Sequence, residues 1–395
     1  METLQNINFN NKKVLIRVDF NVPLNAHFEV TDSTRIVSAK PTIMKVLEDG
    51  GSCILMSHLG RPKSKELAFS LQHIVNVLET VLGKDVLFCS SCIGEDAQKA
   101  SDNLKPGQVL LLENLRYYPE ETTGGIGFAE ALSKLGDFYI NDAFGTAHRA
   151  HASTTIIAQF FPENKCFGSL LAQEIESIDK VMQTGEKPVL AILGGAKVSS
   201  KITIINNILD KVDHLIIGGG MTFTFVKALG GSIGDSICED DKMGLALQIL
   251  DRAKAKNVQV HIPVDVLAAD AFSNHANTQF VDVRTIPANW QGLDCGPKSK
   301  ALFHEVVQKC KTILWNGPLG VFEMEAFSSG TIALGNSIAE ATKNGAFSLV
   351  GGGDSVSAVK QFGFEKKVSY VSTGGGAMLE SLEGKTLPGI AAISN

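Results

Sequence analysis

Four segments in the first 151 residues place arginine or histidine just after short apolar runs, a pattern suited to binding phosphate and carboxylate oxygens. They are DFNVP at 19–23 with Arg35 further on, SHLGRP at 57–62, ENLRY at 113–117 and NDAFGTAHRAH at 141–151. A guanidinium presents a fixed fork of donors that matches such anions, and an imidazole can add another donor. One arginine alone would read as a surface ion pair. Arg35, Arg61, Arg116 and Arg149, recurring at four such places with His58 among them, read as an anion pocket. Arg17 lies inside an apolar run and is expected to be the buried partner of a carboxylate. His148 and His151 are spaced like metal ligands, but no third ligand follows, and Gly145 and Arg149 suit an anion better.

The second half has a different vocabulary. GGAKVSSK at 194–201 is expected to open a helix, with Lys197 and Lys201 one turn apart on one face. GGGMT at 218–222, NGPLG at 316–320 with Glu323, GGGDS at 351–355 and TGGG at 373–376 continue the series. Glycine lets backbone N–H groups approach phosphate oxygens, and a helix N-terminus adds a favourable partial charge. Asp354, beside one such loop, is a natural Mg2+ holder. Gly384, Lys385 and Thr386 do not make a P-loop, since Leu379 stands where that motif needs glycine.

These segments need strand ends and helix starts to hold them. Apolar runs at 14–20, 52–57, 109–112, 138–141, 189–193, 214–218, 258–263, 312–315, 346–350 and 367–371 read as strands. Helical stretches at 71–82, 202–212, 242–256 and 331–342 lie among them. The alternation predicts an α/β protein of two Rossmann-like lobes, each a mostly parallel sheet covered by helices on both faces. The pattern breaks at 161–168, and 169–182 reads as one amphipathic helix joining the lobes, a hinge helix. In open parallel sheets ligands bind at the carboxyl ends of strands, where the basic and glycine-rich segments fall.

The chain has 395 residues and a formal net charge of -6. Residues 1–168 carry 16 basic and 19 acidic side chains, and the rest 20 and 23, so neither half has a nucleic-acid binder's basic excess. The N-terminal segment lacks a signal peptide's apolar core, and no apolar run reaches the roughly 18 residues of a membrane span. Seven scattered cysteines fit a cytoplasmic protein, with Cys89 and Cys92 as incidental thiols. Nothing demands more than a monomer.

The segments RVDFNVP, TRI, SHLGRP, ENLRYYPEE, NDAFGTAHRAHAS, GGAKVSSKI, GGGMTFTF, GLDCGPKS, WNGPLGVFE, GGGDS and STGGGAMLE, in this order, resemble phosphoglycerate kinases from about residue 15 to residue 389. The resemblance implies reversible transfer between 1,3-bisphosphoglycerate with ADP and 3-phosphoglycerate with ATP, in glycolysis and gluconeogenesis, with Mg2+ on the nucleotide. It implies a phosphoglycerate lobe over 1–168, the connecting helix, a nucleotide lobe over 183–372 and a segment 373–395 returning to the first lobe. Asp19, Asn21, Arg35, His58, Leu59, Gly60, Arg61, Arg116 and Arg149 would bind the phosphoglycerate. Lys197, Lys201, Gly292, Glu323, Gly352, Gly353, Asp354 and Ser355 would bind nucleotide, Glu323 at the ribose and Asp354 at the metal. Ser355 departs from the family's usual threonine but keeps the hydroxyl. The stretch 121–128 is also unusual and is expected in a surface loop.

A carboxylate attacking a γ-phosphoryl group is already ionised near pH 7 and needs no general base. The expected catalytic groups therefore balance charge: Arg35 and Lys201, Lys197 on the moving group, and amides near Gly352 and Gly375. Two other classes compete, an acetate or carbamate kinase and a nucleotide-binding regulator. Four arginines exceed what a small acid without a distal phosphate needs, and a regulator need not keep Arg35, Lys201 and Asp354 together.

Overall fold

The computed structural model describes residues 3–394. Its contacts divide the chain into two units, residues 1–175 with 386–395 and residues 176–385. The first division falls inside the helix Ser169–Asp179, which a π turn over Lys180–Thr184 continues. These limits differ from the expected ones at 168 and 373. The helix Gly376–Leu382 stays with the second unit, where Asn207 Nδ2 donates to the Leu382 carbonyl (2.6 Å).

The first unit is built on β1 (Lys13–Arg17), β2 (Ser52–Met56), β3 (Val86–Cys89), β4 (Val109–Leu112), β5 (Phe138–Asn141) and β6 (Lys165–Phe167). They pair in the order β3-β4-β2-β1-β5-β6, every pair parallel. Side chains alternate across the sheet. Val14, Ile16, Leu55, Leu111 and Ile140 enter one core, and Leu15, Ile54, Met56, Leu110 and Tyr139 the other. Two cores on two faces explain why the central strands are apolar on both faces, with polar residues only at their ends. Strand order reverses around β1, whose neighbours are β2 and β5, and the crevice at their carboxyl ends is where sheets of this kind take ligands.

The second unit has a parallel sheet of β7 (Val189–Leu193), β8 (His214–Ile217), β10 (Gln259–His261), β15 (Thr312–Asn316), β16 (Phe347–Val350) and β17 (Tyr370–Val371). Its order is β10-β8-β7-β15-β16-β17, which reverses around β7. A short parallel pair joins β9 (Ser232–Ile233) to β13 (Thr285–Ile286). Three antiparallel strands, β11 (Asp265–Ala269), β12 (Thr278–Asp282) and β14 (Gln291–Cys295), form a separate small sheet. The strand expected at 14–20 ends at Arg17, where the chain leaves the sheet to form the first basic loop. Residues 121–128 are no simple surface loop either. Glu121 is fully buried on the helix Pro119–Thr123, and Phe128 packs into the core from Ile126–Ser133. Among the described residues no helix is long and apolar enough to cross a membrane.

Candidate active site

In the first unit the crevice fills with cations held by neighbouring acceptors. Arg35, at the start of the helix Thr34–Glu48, donates from Nη1 to Asp19 Oδ2 at 2.8 Å. Asp19 is nearly buried beyond β1, so its carboxylate orients Arg35. Asn21 Oδ1 accepts the Gly60 N–H (2.8 Å), and the Gly60 carbonyl accepts from Arg116 Nη1 (2.6 Å). The Leu59 carbonyl accepts from Asn114 Nδ2 at 2.8 Å, and the Leu59 side chain sits in the core. Leu59 and Gly60 thus shape the loop that carries His58 and Arg61.

Arg61, Arg116, Arg149, Lys63, Tyr117 and His151 line one cleft of about 550 Å3. Burial first, then the charges of Arg17 and Arg149, pull the Arg116 pKa down to about 10, against the opposing carboxylates of Glu121 and Asp19. An anion in the cleft would offset the like charges. Burial and the same arginines hold His151 down to about 4, leaving it neutral. His58 is pushed well below its ordinary value by burial, then by Arg17, Arg116 and Arg35.

Arg17 is fully buried as expected, with Nη2 3.9 Å from the buried Glu121 carboxylate and Nε donating to Ser153 Oγ (2.8 Å). It also touches His58, which the sequence did not suggest.

In the second unit the strand-end loops meet backbone to backbone. A side-chain carbon on Gly317 would lie 2.2 Å from the Gly194 carbonyl oxygen, and the φ of Gly317 is +116°. Lys201 Nζ donates to Asn316 Oδ1, while Asn316 Nδ2 donates to the Gly351 carbonyl (2.7 Å). Asn316 thus ties the lysine to the loop that opens the helix Gly353–Gln361. Burial lowers the Lys201 pKa, and the nearby Asp354 charge opposes that shift. The two lysines do not share a helical face: the helix begins at Ile202, and Lys197 stands exposed in the loop ahead of the preceding turn. The β-turn geometry of 198–201, with Lys201 N–H on the Val198 carbonyl (2.9 Å), uses the segment before a helix can form.

Gly352 caps the Gly353–Gln361 helix at φ +92°, a conformation L side chains avoid. Gly353 and Asp354 are exposed there, whereas Ser355 is buried and its Oγ accepts the Gly317 N–H at 2.5 Å. The Ser355 hydroxyl is a tie between loops. Gly375 caps a helix of only seven residues, Gly376–Leu382.

Beside these loops lies a slot of about 450 Å3 walled by Phe223, Ile237, Phe272, Leu293 and Val321, with Gly292 in its floor and Glu323 and Asp354 at its polar side. The apolar walls were not singled out in the sequence. They come from separate elements and share no spacing. A cavity with apolar walls and a few polar groups at its edge is the usual form of a small-molecule site.

A cationic pocket at one sheet's switch point and an apolar slot floored by glycine loops at another's are the parts that a nucleotide-dependent phosphotransferase needs. The family model described as phosphoglycerate kinase matches residues 4–385. A curated phosphoglycerate kinase of Porphyromonas gingivalis is 52% identical, covering 99% of each chain. The solved phosphoglycerate kinase of Coxiella burnetii superposes with a TM-score of 0.91 at 41% identity, over 98% of this chain and 97% of that one. The one from Pyrococcus horikoshii gives 0.82 at 30% identity, over 100% and 98%.

The chain belongs to the phosphoglycerate kinase family. It is a glycolytic kinase that interconverts 1,3-bisphosphoglycerate and ADP with 3-phosphoglycerate and ATP. Family membership removes both alternatives, the acetate or carbamate kinase and the non-enzymatic regulator.

Proposed function

We propose that the first unit's pocket binds the phosphoglycerate and the second unit's slot the nucleotide, with the phosphoryl passing directly in line between them. The observation that carries this reading is the convergence of Arg61, Arg116 and Arg149 with Lys63 on one cleft, a cluster of cations that an anion would neutralise. Arg61, Arg116 and Arg149 then take the distal phosphate, and His58 and Asn21 the glyceryl oxygens. Asp19 accepts from the 2-hydroxyl while orienting Arg35.

Arg35 and Lys201 balance the charge that spreads over the equatorial oxygens in transfer, with the amides at Gly352 and, less strongly, Gly375. Lys197, exposed and free to swing in, holds the moving group. Gly292 and the apolar walls fit the base, Glu323 the ribose, and the amides from Gly353 to Ser355 the phosphate chain.

Asp354 is the residue that would hold Mg2+. It is exposed at the slot, and among the described residues no group of three His, Cys, Asp or Glu could hold a metal. A single carboxylate with phosphate oxygens and water fits Mg2+, which rarely takes an all-protein cage. The ion would neutralise phosphate charge.

Transfer on a carboxylate also requires exclusion of water, which closure about the helix beginning at Ser169 would supply. Scattering with both substrates bound should show a smaller radius, and an unchanged radius would refute closure. Seven free thiols fit a reducing cytoplasm, and neither half-site calls on a second chain, which fits a monomer. A coupled assay tests the assignment: 3-phosphoglycerate should be phosphorylated with MgATP, acetate should not, and chelation of Mg2+ should stop turnover.

A further inference from the structure

Arg17 and His58 are both almost inaccessible, at 0% and 3% exposure, and face each other behind the cationic pocket. Arg17 Nη2 lies 3.3 Å from His58 Nδ1. A guanidinium carries five N–H donors and no acceptor, so the atom it faces must offer a lone pair. The nearest carboxylate oxygen to His58 Nδ1 is Asp19 Oδ1 at 3.9 Å, too far to accept a proton from it in a hydrogen bond. A proton on Nδ1 would therefore point a donor at a donor and a cation at a cation.

We propose that Arg17 is a positioning residue that fixes His58 as the neutral imidazole protonated on Nε2, so that His58 supplies its ligand with a hydrogen-bond donor but no charge. That His58's ligand is the phosphoglycerate rests on the reading above; control of the proton by Arg17 does not.

The surroundings of Arg17 explain how a buried cation can hold this post. Its Nη1 donates to the Val18 carbonyl, its Nε to Ser153 Oγ (2.8 Å), and its charge is met by Glu121 Oε1 at 3.9 Å. Glu121 is itself fixed by Ser153, from Oγ (2.6 Å) and N–H (3.0 Å). The carboxylate balances Arg17 without reaching His58. His58 also feels Arg116, Arg35 and His151 from other elements, and all three act against its protonation. Asp19 is the acid that opposes them, at 3.9 Å. A histidinium here would add a charge to a pocket already crowded with guanidiniums. A neutral ring gives direction without that cost.

Nitrogen-15 spectroscopy of the labelled whole chain, with His58 assigned by its loss in His58→Gln, reads the tautomer directly. The expected result is a pyridine-type Nδ1 and a pyrrole-type Nε2 that do not titrate between pH 5.5 and 8. A pyrrole-type Nδ1, or an imidazolium already formed at pH 6, would overturn the proposal.

Arg17→Lys keeps a donor-only cation and should keep the signature. Arg17→Met is combined with Glu121→Gln so that no carboxylate is left buried and unpaired. In that double variant the ring should mix tautomers and titrate closer to its ordinary value. An unchanged signature there would also overturn the proposal. KM for 3-phosphoglycerate should rise roughly tenfold or more, as for a lost hydrogen bond to a charged ligand, with KM for ATP little changed. If the tautomer shifts and that KM does not, Arg17's control stands and the placing of His58 at the phosphoglycerate fails.

Discussion

The first unit presents its ligand groups as side chains, and the second presents them mainly as backbone. Guanidiniums and an imidazole stand on the segments after β1, β2, β4 and β5, where Asp19 aims Arg35 and the Gly60 carbonyl aims Arg116. In the second unit the loops after β7 and β15 approach so closely that Gly194 and Gly317 leave no room for a side chain. The difference fits the proposed ligands. A small acid bearing a carboxylate and a phosphate gives a protein little to hold but charge, whereas a nucleotide offers an apolar base and a phosphate chain that amides can line. A side-chain site can be altered without disturbing the sheet that carries it. A backbone site cannot where its loops touch, as at Gly194 and Gly317.

The largest expected effect tests the one task both units share. Arg35→Ala and Lys201→Ala each remove a cation from the charge that develops in transfer, worth about 3–4 kcal/mol or two to three decades in kcat. Measured at saturating substrates, a near-normal kcat in either variant would take that residue out of the transition state. Because Arg35 pairs with the nearly buried Asp19, Arg35→Lys serves as a control for folding.

The next prediction concerns folding itself. Gly317→Ala must accommodate both a φ of +116° and a contact of 2.2 Å with backbone, so a loss of about 3 kcal/mol is expected in urea unfolding. Arg149→Ala, at an exposed position of the first pocket, should stay within about 0.5 kcal/mol of the parent. Comparable losses in the two variants would erase the contrast between the sites.

The units are alike in one respect. Each buries a carboxylate at a helix start: Asp142 accepts the Leu171 N–H (3.1 Å), and Asp294 the Gly330 N–H (2.7 Å). Burial raises both to about 6 from the ordinary 3.8. The folded chain then binds more protons than the unfolded one between those values, so stability falls as pH rises through that window. The contribution is on the order of 3 kcal/mol for each group. Asp142→Asn and Asp294→Asn should each flatten the pH dependence of unfolding between pH 4 and 7. An unaltered slope in both would place these carboxyls near their ordinary values.

The sheets and the basic loops were legible because their signals are local. Fully buried strands such as Val109–Leu112 and Val189–Leu193 are apolar throughout, Phe138–Asn141 is so up to its last residue, and the limits of all three match the expected ones. Edge and minor strands were not legible. Lys165–Phe167 is three residues long, and Thr278–Asp282 is largely exposed and mixed in polarity. The helix Thr34–Glu48 was hidden by Pro41 in its interior. Arg17 shows the limit at the site: its carboxylate was foreseeable in kind, but Glu121 lies more than a hundred residues away, and contact with His58 depends on how β1 and β2 pair. The apolar slot was invisible for the same reason, since Phe223, Phe272 and Val321 meet only in the folded chain.

The smallest effect divides the glycines of the second unit among themselves. Gly317 is demanded by the fold, but Gly353 is not: its φ is ordinary and an added side-chain carbon would meet nothing within 4 Å. At the start of a helix, alanine in its place should leave stability within about 0.5 kcal/mol or improve it slightly. Yet Gly353 is exposed in the first turn after Gly352, beside Asp354, where the phosphate chain is assigned. A methyl group there would stand in the ligand's space and keep phosphate oxygens from the amides. Gly353→Ala should therefore raise KM for ATP roughly three- to tenfold, about 1 kcal/mol, while KM for 3-phosphoglycerate stays near the parent value. Unchanged KM for both substrates would mean that the phosphates do not reach this helix. A change in both would mean that the variant acts through the fold, and the distinction between structural and ligand-facing glycines would be lost.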